Sequence, residues 1–163
     1  MKTLVRNIAF LLILTVLSFN ISCTIESYTT KKIAADKEIQ LYIDNNGLNI
    51  QPNSSGLVFI PIRKGDGSYP KDGDKVAFHY SGYYLNGDVF DTSYDKSYPL
   101  VIELGNDMII KGLEEALKLM DKGAKSRVII PFYHAYDDVE NAPVPPYSNL
   151  IFEIELIDFT SDK

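Results

Sequence analysis

The stretch GDKVAFHYSGYYLNGDVFDTS, residues Gly73 to Ser93, decides the fold. It opens with strict alternation, placing Val76, Phe78 and Tyr80 on one face and Ala77, His79 and Ser81 on the other, the period of a strand. Asn86-Gly87 then predicts a tight hairpin turn, since this dipeptide tolerates two positive-φ positions in succession. The return strand carries Val89, Phe90 and Asp91. This pairing predicts Tyr80 and Phe90 on adjacent rungs, with one carboxylate beside them.

Working outward toward the C-terminus, Leu100, Ile102 and Leu104 alternate as a further short strand that Gly105 stops. Asn106 or Asp107 is placed to cap a helix from about Met108 to Asp121. Its predicted apolar stripe is Ile110, Leu113, Leu117 and Met120, with Lys111, Glu114, Glu115 and Lys118 toward water. Residues Ala124 to Pro131 read as a strand, with Val128 and Ile130 on one face. The segment Phe132 to Ser148, carrying Pro143, Pro145 and Pro146, is too long to be only a connection. Asn149 to Phe159 alternates again, with Leu150, Phe152, Ile154 and Leu156 inward and Glu153 and Glu155 outward.

Toward the N-terminus, Gly56 to Arg63 reads as the first strand. The Gly-, Pro- and Asp-rich run that follows, to Asp74, resembles a calcium loop only in composition. Counted from Asp66, its twelfth residue is Ala77 and not the required Glu, so it reads as a turn. Strands, one helix and more strands predict an α+β domain, an antiparallel twisted sheet wrapped around one short helix, over residues 56–159. Ahead of it, Ile33 to Asp44 has Ile39, Tyr42 and Ile43 on one helical face, and Asn45-Asn46-Gly47 ends it. Within this 33–55 extension, the helix either packs on the domain edge or serves a partner or a second copy. Residues 23–32 read as a tether.

The first 22 residues differ in kind. Lys2 and Arg6 precede an uncharged apolar run, Ile8 to Phe19, of the length of a secretory signal and short for a membrane span. Cys23 follows and is the chain's only cysteine, so no internal disulfide is available. Either Cys23 is incidental, or Ser22-Cys23 closes a bacterial lipobox, with Asn20 in place of its usual leucine, and Cys23 carries the lipid.

Across 163 residues the net charge is −6 and the basic residues are scattered, which speaks against a nucleic-acid partner. His79 and His134 are the only histidines. Neither stands in a metal-binding spacing or beside a nucleophile motif, so neither metal nor cofactor is called for. His79, opposite Tyr80 on its strand, reads as structural, and Asp137, Asp138 and Glu140 read as a solvated loop. Taken singly, Tyr80, Phe90 and Phe152 alternate as plain core residues do, whereas a buried Asp91 would need a partner.

VAFHYSGYYLNGDVFDTS resembles the core signature of the FKBP-type peptidyl-prolyl isomerases, V.VHY.G.L.DG..FDSS. LGNDMIIKGLEEAL, the tripeptide His134-Ala135-Tyr136, VPP before Tyr147, and NLIFEIEL resemble further family segments in the same order, from about Gly56 to Phe159. The resemblance implies catalytic roles for Tyr80, Phe90, Asp91 and Tyr136, the last as a hydroxyl donor. It implies substrate contacts from Leu100, Ile109, Ile110, Leu113, Val144 and Phe152, with the Ile110 N–H holding a ligand carbonyl. Leu113 stands where the family usually has tryptophan, Leu100 where an aromatic is common, and Asp137 where glycine is usual. The implied function is cis–trans isomerisation of X-Pro bonds in exported or envelope proteins, by a monomer held to the membrane through Cys23. The rival is an envelope-anchored proline-binding or chaperone module without turnover.

Overall fold

The structure, a computed structural model, describes residues 27–161. The expected signal sequence, the lipobox and Cys23 lie outside these residues. The described residues fall in two units, 27–34 in the first and 35–161 in the second. Of the first, the described residues 27–34 are helical.

Residues 27–45 are helical (α1), longer than the expected Ile33 to Asp44 and covering part of the expected tether. No Gly or Pro occurs between Thr24 and Asn46, so nothing in the sequence breaks the helix before Gly47, which closes it at φ 61°. Six strands follow: β1 (Val58–Arg63), β2 (Lys75–Tyr84), β3 (Val89–Thr92), β4 (Leu100–Glu103), β5 (Lys125–Ile130) and β6 (Leu150–Thr160). A helix, α2 (Lys111–Lys118), precedes β5, and a 3₁₀ turn at Phe132–His134 follows it.

All six strands form one antiparallel sheet in the order β1-β5-β6-β2-β3, with β4 also on β2. The ten-residue β2 carries both short strands on one edge. Lys75 to Phe78 pair with β4, and Ser81 to Tyr83 pair with β3. A register slip between Ala77 and Phe78 against β6 breaks the ladder once, the kind of bulge that bends a strand and increases its twist. One face of the bent sheet wraps α2. Phe78, Val128, Ile130, Leu150, Phe152, Ile154 and Leu156 bury there with Leu113, Leu117 and Met120.

The opposite face is covered as well. Ile39 and Ile43 of α1 bury against Val58, Ile129 and Ile151, with Tyr42 partly buried beside them. This explains the continuous apolar run Val128-Ile129-Ile130, because a strand covered on both faces does not alternate. Buried Asn149 anchors α1: its amide donates to the Ala35 carbonyl (3.2 Å) and to Glu38 (2.6 Å), and its Oδ1 accepts the Phe132 N–H (3.0 Å).

Three local expectations are corrected. α2 begins at Lys111 and not near Met108, with Ile110 in extended backbone (ψ 145°) at its start and no side-chain cap from Asn106 or Asp107. Asp107 is left-handed at φ 51°. Gly112 lets the start of α2 close onto β5, where a Cβ would stand 2.3 Å from Ile130 Cγ2. The second correction is Glu114, which is buried and not solvated. An eight-residue helix lying in the trough of a bent sheet buries more than one stripe.

The third concerns the hairpin. Only Gly87 has positive φ (94°). Its N–H bonds to the Tyr84 carbonyl and the Tyr84 N–H to the Asp88 carbonyl, a longer loop with a glycine bulge in place of the two-residue turn. As a result Gly82 pairs with Asp91 and Tyr83 with Val89, and Phe90 falls at the slip. Tyr80 and Phe90 are therefore not on adjacent rungs.

The glycine-rich run before β2 folds as a turn. The Asp121 carboxylate accepts the Gly65 and Gly67 N–H groups at 2.9 and 3.0 Å. Among the described residues no cluster of His, Cys, Asp and Glu is arranged to hold a metal ion.

Candidate active site

A cleft of about 360 Å³ opens where β2, β6, the start of α2 and the loop after β5 converge. Phe152 and Leu113, both buried, form its floor. Tyr80, Leu100, Ile109, Ile110 and Tyr136 line its walls. Because α2 starts late, Ile109, in a bend, and Ile110, in extended backbone, precede the helix and reach the cleft from a strap between β4 and α2.

Tyr80 leaves β2 toward the cleft, 6.0 Å from Phe152 between ring centroids. Its hydroxyl donates to the Asp91 carboxylate at 2.6 Å, a short, charge-assisted bond. Burial pushes the Tyr80 hydroxyl pKa well above the ordinary tyrosine value, and the Asp91 bond and charge push it further the same way. Burial, then the charge of Asp91, also raises Tyr136. Both hydroxyls therefore stay protonated at neutral pH: the Tyr80 proton is committed to Asp91, and the Tyr136 hydroxyl is the available donor. The Ile110 carbonyl accepts the Leu113 and Glu114 N–H groups, while its own N–H has no acceptor among the described residues.

Seven of the ten residues expected at the site line this cleft; Phe90, Asp91 and Val144 do not. Asp91 is present through Tyr80. Phe90 supports the floor from behind, edge-on to Phe152 at 5.6 Å and 5.4 Å from Tyr84. Its ring lies over Gly82, where a Cβ would stand 2.6 Å from Phe90 Cζ. Val144 is buried in the main core, so it steadies the proline-rich loop from within and is not a cleft contact.

The sequence reading missed four lining residues: Asp107, Met108, Ala135 and Val139. Asp107, Met108 and Ala135 stand within motifs already quoted for their neighbours, while Val139, exposed on a polar loop, gives no periodic signal. It also missed Ser93, fully buried, whose hydroxyl accepts the Tyr80 N–H at 2.8 Å and fixes that residue's backbone. His79 supports the same element from the other face. Its Nδ1 lies 3.0 Å from the Ser93 hydroxyl, and its ring stacks on Tyr94 at 4.7 Å.

The geometry offers an apolar concavity with one free hydroxyl donor, on Tyr136, and one backbone N–H, beside a Tyr80 hydroxyl held by Asp91. Residues 67–157 match the family described as FKBP-type peptidyl-prolyl cis-trans isomerase. The chain is 40% identical over 140 residues to the FKBP-type peptidyl-prolyl cis-trans isomerase FkpA of Buchnera aphidicola subsp. Baizongia pistaciae, covering 83% of this chain and 55% of that protein. It is 36% identical to the FK506-binding protein of Neisseria meningitidis serogroup B, covering 63% of this chain and 94% of that one. The crystal structure of FkpA from Escherichia coli superposes with TM-score 0.69 at 33% identity, over 86% of this chain and 64% of that one. A peptidyl-prolyl cis-trans isomerase structure from Pseudomonas syringae pv. tomato gives TM-score 0.65 at 28% identity, over 80% of this chain and 96% of that one. The chain spans about half the length of the FkpA relative from Buchnera. With this family match and a sheet wrapped on its short helix as in those structures, the chain belongs to the FKBP-type peptidyl-prolyl cis-trans isomerases.

Proposed function

We propose that the chain catalyses cis–trans isomerisation of X-Pro bonds in protein clients. The observation that carries this reading is the Tyr80–Asp91 hydrogen bond at the wall of an otherwise apolar cleft. Rotation about an X-Pro bond breaks no covalent bond but must cross a barrier of about 18–20 kcal/mol, which takes tens to hundreds of seconds unaided. A planar amide has a large resonance dipole that water solvates well, and twisting removes the resonance. An apolar cleft built from Phe152, Leu113, Ile109 and Ile110 therefore favours the twisted form relative to the planar one. Tyr136 and the Ile110 N–H are the donors that fix the client's carbonyls. Asp91 turns the Tyr80 hydroxyl and holds its ring as a wall. Every ~1.4 kcal/mol removed from the barrier is a tenfold gain in rate.

The chain is exported and held at the envelope membrane through lipid on Cys23, acting there on proline-containing clients as a monomer. Lys2, Arg6, the apolar run from Ile8 to Phe19 and the single cysteine after it support this placement. Among the described residues no helix is long and apolar enough to cross a membrane. Labelled palmitate fed to an expressing bacterium tests the lipid on Cys23: label should enter the chain and be lost in Cys23→Ser. Exchange spectroscopy on proline peptides tests the activity, and peptide binding without faster exchange would favour a chaperone role.

A further inference from the structure

The cleft's lining has one charged residue, Asp107, and no lysine or arginine. More carboxylates neighbour the lining residues: Asp91 accepts from Tyr80, Asp137 directly follows Tyr136, and Asp138, which accepts the Tyr147 hydroxyl at 3.0 Å, and Glu140 stand in sequence on either side of Val139. Asp91, Asp107, Asp138 and Glu140 are exposed, and none forms an ion pair among the described residues. The nearest lysine in sequence to a lining residue is Lys111, exposed at the start of α2. Interleaved with these acids, Met108 and Val139 line the rim, each 60% exposed.

We propose that this rim selects proline segments carrying a lysine or arginine beside the X-Pro bond, a preference that rests on the isomerase reading above. Lysine and arginine have long aliphatic stems and a charged end. A rim of exposed apolar side chains alternating with carboxylates accepts both parts: the stem lies on Met108 or Val139, and the charge reaches Asp107, Asp138 or Glu140. A purely apolar flank would satisfy only the first, and an acidic flank would meet repulsion. Carboxylates around a low-dielectric cleft also raise the local concentration of cationic peptides.

The test uses the full chain and three acetylated, amidated peptides that differ only in the residues flanking one X-Pro dipeptide: lysine, alanine or glutamate. Affinity comes from NMR titration and turnover from exchange spectroscopy. The lysine peptide should bind about tenfold more tightly than the glutamate peptide, the result of two or three exposed charge contacts of modest strength each. Raising the salt to about 1 M, where the Debye length falls to ~3 Å, should bring the ratio toward one. Asp107→Asn with Glu140→Gln should lower the ratio at low salt, while Asp44→Asn, on α1, should leave it. Asn tolerates the left-handed backbone at position 107. Equal affinities, or a ratio that Asp44→Asn lowers as much as the rim pair does, would overturn the proposal. If the alanine peptide isomerises faster and no charge preference appears, the rim proposal fails and the isomerase reading stands. If the lysine peptide binds more tightly but no peptide exchanges faster, the isomerase reading fails and the rim stands.

Discussion

The Tyr80 hydroxyl and the Asp91 carboxylate, from opposite strands of one hairpin, meet at 2.6 Å beside an apolar cleft. Glycine and bulge chemistry make the meeting possible. The slip that displaces Phe90 from the ladder sets Asp91 opposite Gly82, two residues along from Tyr80, so the phenol reaches diagonally across the strand pair.

Removing the acceptor frees the Tyr80 ring and leaves its hydroxyl without its charged partner. A hydrogen bond to a charged group is worth ~1.5–3 kcal/mol, so Asp91→Leu should lower kcat/KM about ten- to a hundredfold. Adding Tyr80→Phe to Asp91→Leu should cost little more, because the two residues act as a pair. Peptide kinetics on the two single variants and the double variant measure this coupling, and full additivity would refute it.

Tyr136 supplies one neutral donor and keeps its ring in Tyr136→Phe. The loss should be about three- to tenfold in kcat/KM, in keeping with ~1 kcal/mol for a neutral hydrogen bond. Circular dichroism should show an unchanged fold.

Gly82→Ala drives a methyl to within 2.6 Å of Phe90 Cζ and 3.1 Å of Phe152 Cε1. Overpacking of this kind costs ~1–3 kcal/mol. The urea midpoint should fall, and activity should fall with it, since Phe152 forms the cleft floor.

Titration adds a pH signature. Both Tyr80 and Tyr136 have hydroxyls raised above the ordinary value, with burial as the larger cause. An acid whose folded pKa is raised favours the fold while it remains protonated. The contribution is therefore fully present below the unfolded tyrosine value of about 10 and is lost as pH rises through the higher folded values. Denaturation followed from pH 8 to 11.5 should show stability falling above pH 10, less steeply in the double Tyr80→Phe, Tyr136→Phe variant. Identical slopes would contradict it.

How much of this was legible beforehand depended on the physical signal each residue carries. Alternation in β2 and β6 exposed the strands directly, and the spacing of Ile39, Tyr42 and Ile43 exposed the buried face of α1. The helix start was not legible, because Asn106-Asp107 before an apolar run looks like a cap, while the chain bends through Ile109, with Asp107 left-handed, and is extended at Ile110. Glu114 was misjudged for a related reason: periodicity reports one apolar stripe but not the curvature of the sheet beneath it. For the site, the resemblance carried Tyr80, Tyr136, Ile109 and Ile110 to their places in the cleft. It could not show that Phe90 braces the floor from behind or that Val144 lies in the core, since both follow from a register slip and loop packing that no local pattern records.

The second face of the sheet bears its own prediction. Ile39 and Ile43 are each 1% exposed against Val58, Ile129 and Ile151. Ile39→Ala should cost about 2–5 kcal/mol, as large-to-small core changes do, and thermal melts should report it. An unchanged melt would mean that α1 leaves the sheet in solution.

The central claim is that the cleft accelerates rotation about X-Pro bonds. Exchange spectroscopy on a short alanyl-prolyl peptide, with the full chain and its Asp91→Leu variant at matched concentration, tests it most directly. The account predicts cis–trans cross-peaks that build up on the sub-second scale with the wild type and at least tenfold more slowly with the variant. Exchange no faster than in peptide alone, with the peptide visibly bound, would contradict it.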